Sequence, residues 1–268
     1  MRALLLSLGF CAAASACASA TQTAAPAAPP AATAAPPAAT TAASAAPPVA
    51  PVASSTASST PPSAAPPAEP AHEPPAYQHR FQNADVWAKQ FDDRARDAWQ
   101  KPERVVAAMQ IAPGMTVADI GAGTGYFEPH LSRAVGPSGK VLALDVEPDM
   151  VRHLQERAAT AHLANVEARQ VETGDPGLAA GSVDRVLIVD TWHHIPNRAA
   201  YTARLASALK SGGEVVVVDF RHDAHRGPPP EHRIPPEEVV RELQAGGLAA
   251  HVVDAGLPEQ YVVVGARR

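Results

Sequence analysis

The chain has 268 residues, 46% of them hydrophobic, 18% charged and only 4% aromatic, with a formal net charge of −5. That mildly acidic balance argues against a nucleic-acid-binding surface as a property of the whole chain. Its two cysteines, Cys11 and Cys17, both precede residue 20, which excludes disulfide scaffolds, thiolate zinc sites and cysteine nucleophiles from everything downstream.

Met1-Arg2 followed by ALLLSLGF and a run of small residues has the three-part pattern of a secretory leader over residues 1–20. The apolar stretch is too short for a mature membrane-spanning helix. Ala14-Ser15-Ala16-Cys17 resembles a bacterial lipoprotein cleavage box, although such boxes prefer leucine where Ala14 stands. Cleavage after Ala20 is the competing reading. The expectation is a cell-envelope protein, periplasmic or held at a membrane through a lipidated Cys17. A start codon assigned too far upstream would instead leave it in the cytoplasm.

Residues 21–76 contain 22 alanines and 15 prolines and no Leu, Ile, Phe or Trp. Such a stretch buries too little apolar surface to offset its ordering entropy, so it reads as a disordered spacer. Only Arg2, Glu69 and Glu73 among the charged residues precede Tyr77. Residues 77–268 have an ordinary globular balance and the length for one substantial core.

From Tyr77 onward, short β-like runs alternate with longer amphipathic ones. Residues 83–99 and 102–109 read as helices, the second with Pro102 in its first turn. A Pro-Gly turn precedes a strand, MTVADI, ending in a glycine cluster. A helix over 126–135, a strand over 140–146 and a helix over 148–160 follow. Strands over 166–171 and 183–189, then a helix over 197–209 closed by Ser211-Gly212-Gly213, come next. A strand over 214–220 and a helix over 235–245 lead to two runs, 250–253 and 261–264, that read as a closing hairpin. Strands apolar on both faces and separated by helices predict a doubly wound α/β domain with a mostly parallel sheet.

In such sheets, ligands bind beyond the carboxyl ends of the strands, where the strand order reverses. Four predicted strand ends carry unusual residues. The first reads DIGAGTGY, with Asp119, Gly121, Gly123 and Gly125, followed by a helix offering free N–H groups. The second ends in Asp145, followed by Glu147; an acid 26 residues beyond Asp119 falls on the neighbouring strand tip, near a ribose. Glu172 and Asp175 follow the third. Asp190, Trp192, His193 and His194 follow the fourth. A nicotinamide-binding loop is the immediate rival, but the spacing is G-x-G-x-G, and a carboxylate two residues before the first glycine disfavours a pyrophosphate. It suits a ligand bearing an amino group and a sulfonium.

These residues resemble the class I S-adenosylmethionine-dependent methyltransferases. VADIGAGTGYF (117–127), LALDVEPDM (142–150), GSVDRVLIVDTWHHI (181–195) and LKSGGEVVVVDF (209–220) are similar to four of that family's motifs. The resemblance covers roughly residues 104–268. It implies a Rossmann-like seven-stranded sheet with a reversed final strand and S-adenosyl-L-methionine as cofactor. By the same resemblance, Gly121, Gly123 and Gly125 wrap the methionine part and Asp119 lies near its amino group. Asp145 holds the ribose hydroxyls, Glu147 lies beside the adenine, and Glu172 (or Asp175, since the usual string after the third strand is replaced by ETGDPGLAA) meets the adenine amine. Asp190, at the fourth strand tip, completes the expected cofactor set.

His193 and His194 are candidate general bases for an oxygen or nitrogen acceptor, with capping or packing of the next helix as the plain alternative. His222, His225 and His232 read as a solvated loop rather than a metal set, because Gly227-Pro228-Pro229-Pro230 interrupts them. Residues 77–91 and 99–102 are expected to cover the pocket. The expected function is methyl transfer to a small-molecule acceptor, with no nucleic-acid partner. A non-catalytic cofactor-binding envelope module and a nicotinamide oxidoreductase are the alternatives. Neither the acceptor nor the oligomeric state can be read from the sequence.

Overall fold

The computed structural model describes residues 80–267. The leader, the Ala/Pro-rich spacer and the lipidation of Cys17 expected from the sequence lie outside them. Seven strands form one sheet: β1 (Thr116–Ile120), β2 (Lys140–Asp145), β3 (Val166–Gln170), β4 (Val183–Val189), β5 (Leu209–Phe220), β6 (Ala249–Val253) and β7 (Gln260–Ala266), in the order β3-β2-β1-β4-β5-β7-β6. The pairings from β3 across to β5 are parallel, and β7 runs antiparallel between β5 and β6. This is the expected doubly wound sheet with a reversed last strand. The order reverses at β1, whose neighbours are β2 and β4, so a crevice opens beyond their carboxyl ends.

Alternation along the strands divides the core into two. Ala118, Ile120, Val186, Ile188, Val215 and Val217 face Trp192, Leu205 of α6 (Arg198–Ala208) and Val239 and Leu243 of α7 (Pro236–Ala245). Val117, Val141, Leu187, Val216 and Val218 face Val105 of α3 (Pro102–Ala108) and Leu131 and Val135 of α4 (Glu128–Val135). The same parity sends Asp119 and Asp145 towards the α4 face and Asp219 towards the α6/α7 face. Each fully buried aliphatic side chain contributes about 1.5–3 kcal/mol through removal from water.

Two elements depart from the sequence reading. The helix expected over 83–99 is broken into α1 (Ala84–Phe91), a single 3₁₀ turn (Arg94–Arg96) and α2 (Asp97–Gln100). The break falls at Asp92-Asp93. Asp93 accepts from the Ala95 N–H at 2.9 Å, and Asp92 is drawn to the Thr124 hydroxyl at 2.9 Å and to Arg157 at 2.6 Å. Short acidic side chains offer the backbone this alternative to helix continuation. In the other, Ser211-Gly212-Gly213 does not close the preceding helix but lies inside β5, where the β4 pairing shifts register between Val183 and Arg185. The glycines form a bulge in a strand that begins at Leu209.

The N-terminal segment is laid over the crevice. Arg80 pairs with Glu147, the Asn83 N–H donates to Asp149 of α5 (Pro148–Thr160) at 3.1 Å, and the Tyr126 hydroxyl donates to Asp97 at 2.5 Å. Among the described residues no helix is long and apolar enough to cross a membrane.

Candidate active site

The glycine loop after β1 takes its shape from two backbone requirements. Gly121 has φ +71°, and a Cβ there would sit 2.4 Å from the Thr191 hydroxyl; Gly125 has φ +90°, and a Cβ would meet Leu154 at 2.9 Å. Gly121→Ala is therefore expected to cost about 1–2 kcal/mol through the left-handed backbone alone, with the collision in addition. A urea titration in which the midpoint does not fall would contradict this account of the loop.

Asp145 ties the loop to the next strand. One carboxylate oxygen accepts from the Gly123 N–H and the other from the Glu147 N–H, both at 2.9 Å. Each oxygen retains a lone pair for a ligand hydroxyl. Burial pushes the Asp145 pKa up, while these two N–H groups pull it down. Glu147 is committed to Arg80, whose guanidinium donates to both its oxygens at 2.6 and 2.9 Å and lowers its pKa. Glu172 and Asp175 lie exposed on the turn after β3, bridged to each other, with Asp175 also 3.3 Å from Arg204 of α6. The structure thus gathers Asp119, Asp145 and the glycines, and places Glu172 beyond the end of β3, the strand beside β2.

A second polar group is built at the tips of β4 and β5. Asp190 turns the chain with φ +53°, a left-handed conformation that aspartate tolerates better than most residues. A 3₁₀ turn, Trp192–His194, follows. His193 is 4% exposed, and its Nδ1 lies 2.8 and 3.1 Å from the two oxygens of Asp219, itself 1% exposed. Burial opposes protonation of His193, but the Asp219 carboxylate outweighs it and the pKa rises above the ordinary value. Desolvation pushes Asp190 up to about 7, against the pull of Arg96. His194 turns the other way: its ring lies 5.5 Å from Phe81 of the N-terminal segment and 4.3 Å from His193.

Asp190 also belongs to a closed ring. Gln260 on β7 donates to Asp190 and accepts from Gln100 of α2 at 2.6 Å. Gln100 in turn accepts from Arg96 at 3.0 and 3.1 Å, and the Arg96 guanidinium lies 3.8 Å from Asp190 and 4.0 Å from the Tyr126 ring centre. Asp219, Arg96, Gln100 and Gln260 escaped the sequence reading. Asp219 had a usable signal, an acid closing a buried strand (VVVVDF) just as Asp119 and Asp145 do. Arg96 and Gln100 pair four residues apart, but their links to Asp190 and Gln260 cross long stretches of sequence and leave no local trace.

The tips of β1, β2, β4 and β5 therefore present buried carboxylates, an open backbone loop and an acid-supported imidazole. A family model described as a methyltransferase domain matches residues 111–247. The chain belongs to that family. It is 32% identical over 157 residues to nocamycin O-methyltransferase of Saccharothrix syringae (58% of this chain, 51% of the relative). It is also 31% identical over 121 residues to demethylmenaquinone methyltransferase of Staphylococcus carnosus (45% and 48%). The chain thus spans about half the length of these curated relatives. Among solved structures, a SAM-dependent methyltransferase from Aquifex aeolicus superposes with a TM-score of 0.65 at 29% identity, covering 69% of this chain and 99% of the other.

S-adenosyl-L-methionine is the family's cofactor, and the site's chemistry fits it. Buried carboxylates at Asp119 and Glu128 offer negative charge to a cationic amino-acid end, with both Glu128 oxygens lacking a hydrogen-bond partner among the described residues. Asp145 offers acceptors for hydroxyls beside backbone that leaves room for close approach.

Proposed function

We propose that the chain transfers a methyl group from S-adenosyl-L-methionine to an oxygen or nitrogen atom of a small organic acceptor, with His193 taking the acceptor's proton. The observation that carries this reading is the buried His193–Asp219 pair at the β4 and β5 tips, beside the Asp190 turn and across from the glycine loop. The names of the relatives, a nocamycin O-methyltransferase and a demethylmenaquinone methyltransferase, support a small-molecule acceptor.

When bound, the cofactor supplies an electrophilic methyl carbon on a sulfonium. In-line displacement needs mainly orientation, for which effective molarities of about 10⁵–10⁸ M are available. Gly121, Gly123 and Gly125 would hold the methionine part and Asp145 the ribose. Asp219 receives the Nδ1–H of His193, which places the basic lone pair on Nε2, an assignment made from the hydrogen-bond network. Phe81, Phe91 and the α1–α2 segment exclude water above the loop. His194, packed on Phe81, positions that cover rather than the proton.

Calorimetry with S-adenosylhomocysteine tests the cofactor half. Saturable binding is expected, and Asp145→Ala should weaken it about 10- to 100-fold, because the residue's charged acceptors and its anchoring of the Gly123 and Glu147 N–H groups go together. Unchanged affinity would remove Asp145 from the site. Turnover decides the rest: labelled methyl appearing in small phenols or quinols supports the enzyme, whereas tight binding with no transfer to any extract favours a non-catalytic binding module. The envelope location expected from residues 1–20 is a separate proposal, checked by N-terminal sequencing and fractionation of the native protein.

A further inference from the structure

Glu128 is a buried carboxylate to which the proposed methyl transfer assigns no proton. It is 2% exposed, in the first turn of α4, directly after the glycine loop, and both carboxylate oxygens lack a hydrogen-bond partner among the described residues. One of those oxygens lies 3.2 Å from where a Cβ on Gly125 would stand, so the group lies against the back of the loop. Asp119, 3% exposed at the end of β1, is within hydrogen-bonding reach of it once one of the two carries a proton. An unpaired, desolvated carboxylate is too costly to keep charged beside another.

The surroundings do not neutralise the pair. Arg157 of α5 faces Glu128, but its charge is shared with Asp92 at 2.6 Å and with the Thr124 carbonyl at 3.1 Å. Arg96 faces Asp119 from the N-terminal segment but is turned to Gln100, the Phe91 carbonyl and Asp190. Asp145 on β2 and Asp92 after α1 add negative charge to the same enclosure. Burial first, then mutual repulsion, pushes Asp119 well above the ordinary carboxylate range. Burial raises Glu128 as well, against the pull of Arg157.

We propose that Asp119 and Glu128 act as one carboxyl pair that holds a single shared proton in the free protein and exchanges it for the α-ammonium group of the cofactor. This inference rests on the cofactor reading above. On binding, the O–H proton of the pair passes to solvent, the arriving ammonium keeps its three N–H donors, and both carboxylates become acceptors. The sign follows: a cation stabilises the ionised pair, so affinity rises with pH through the free pair's titration and falls as the pair becomes protonated, by up to tenfold per pH unit.

The full chain is titrated calorimetrically with S-adenosylhomocysteine near pH 7 in phosphate and in Tris, whose ionisation enthalpies differ. Wild type should release up to one proton per ligand bound, and its affinity should climb between about pH 6 and pH 8. With Glu128→Gln, the release should vanish and the affinity become flat with pH. 5′-Methylthioadenosine, which lacks the ammonium, should bind wild type with no proton release, an arm that needs no variant to fold. S-adenosylhomocysteine binding without buffer-dependent enthalpy, or release that persists in Glu128→Gln, overturns the pair while leaving the cofactor reading intact. Absence of any S-adenosylhomocysteine binding to wild type overturns both.

Discussion

His193→Ala is expected to slow single-turnover methyl transfer by about 10²–10⁴-fold, the usual worth of a positioned general base, while S-adenosylhomocysteine still binds. His194→Ala should change the same rate far less, because that ring packs on Phe81 of the covering segment. The pH profile separates a proton acceptor from a packing residue. Neutral His193 is the active form, so the rate should rise with pH through a value above the ordinary 6.5, because Asp219 favours the imidazolium. Asp219→Asn removes that support and leaves burial, which disfavours the cation, so the rising limb should move to lower pH even as the maximal rate drops. The stability contributed by the charged His193–Asp219 pair runs the opposite way. It is complete below the unfolded pKa and fades as pH rises through the raised folded one. A His193→Ala rate equal to wild type with a good acceptor would remove the base from the mechanism.

Glu242→Ala should produce the largest loss of stability. Glu242, on α7, accepts from Arg198 Nε at 2.7 Å with one oxygen and from Trp192 Nε1 at 2.7 Å with the other, and Arg198 is 1% exposed. Removing the carboxylate takes an ionic partner from a buried guanidinium and an acceptor from a buried indole. The expected cost is about 3–5 kcal/mol, a fall in Tm of about 6–20 °C for a domain of this size. Replacing both partners by apolar residues (Arg198→Met with Glu242→Leu) should cost much less, because no charge is then left stranded. Since Trp192 immediately precedes His193, the single variant should also reduce the rate at temperatures where it remains folded. Thermal unfolding of the single and double variants checks this; a single variant within about 1 kcal/mol of wild type would mean that the network carries little stability.

The fold was legible because its signals are local. Runs such as VLIV and VVVV, apolar on both faces, can only be strands covered on both sides, and Pro102, Pro148 and Pro236 stand in the first turns of three helices. The α1–α2 break was not, because Asp92 leaves helical geometry for Thr124 and Arg157, partners far along the chain. The bulge at Gly212 escaped for a related reason: glycine after a helical pattern ordinarily signals a helix end, and only the β4 pairing makes it a strand irregularity. At the site, Asp119, Asp145 and His193 stand out because each closes or follows a buried strand. Glu128 does not, since an acid in a first helical turn looks like an ordinary dipole partner. Only its burial without a hydrogen-bond partner among the described residues gives it away. Arg80's hold on Glu147 was equally invisible, lying across 67 positions of sequence.

The ring formed by Arg96, Gln100, Asp190 and Gln260 bears on biogenesis. Its members come from the start, the middle and the final strand of the described region, and Gln100 meets Gln260 across 160 positions. During synthesis from the amino end, the turn carrying Asp190 has to wait for residue 260 before its Gln260 partner arrives. The proposed site is thus completed late, and a nascent chain stalled or clipped before β7 should carry the glycine loop but not a finished β4 tip.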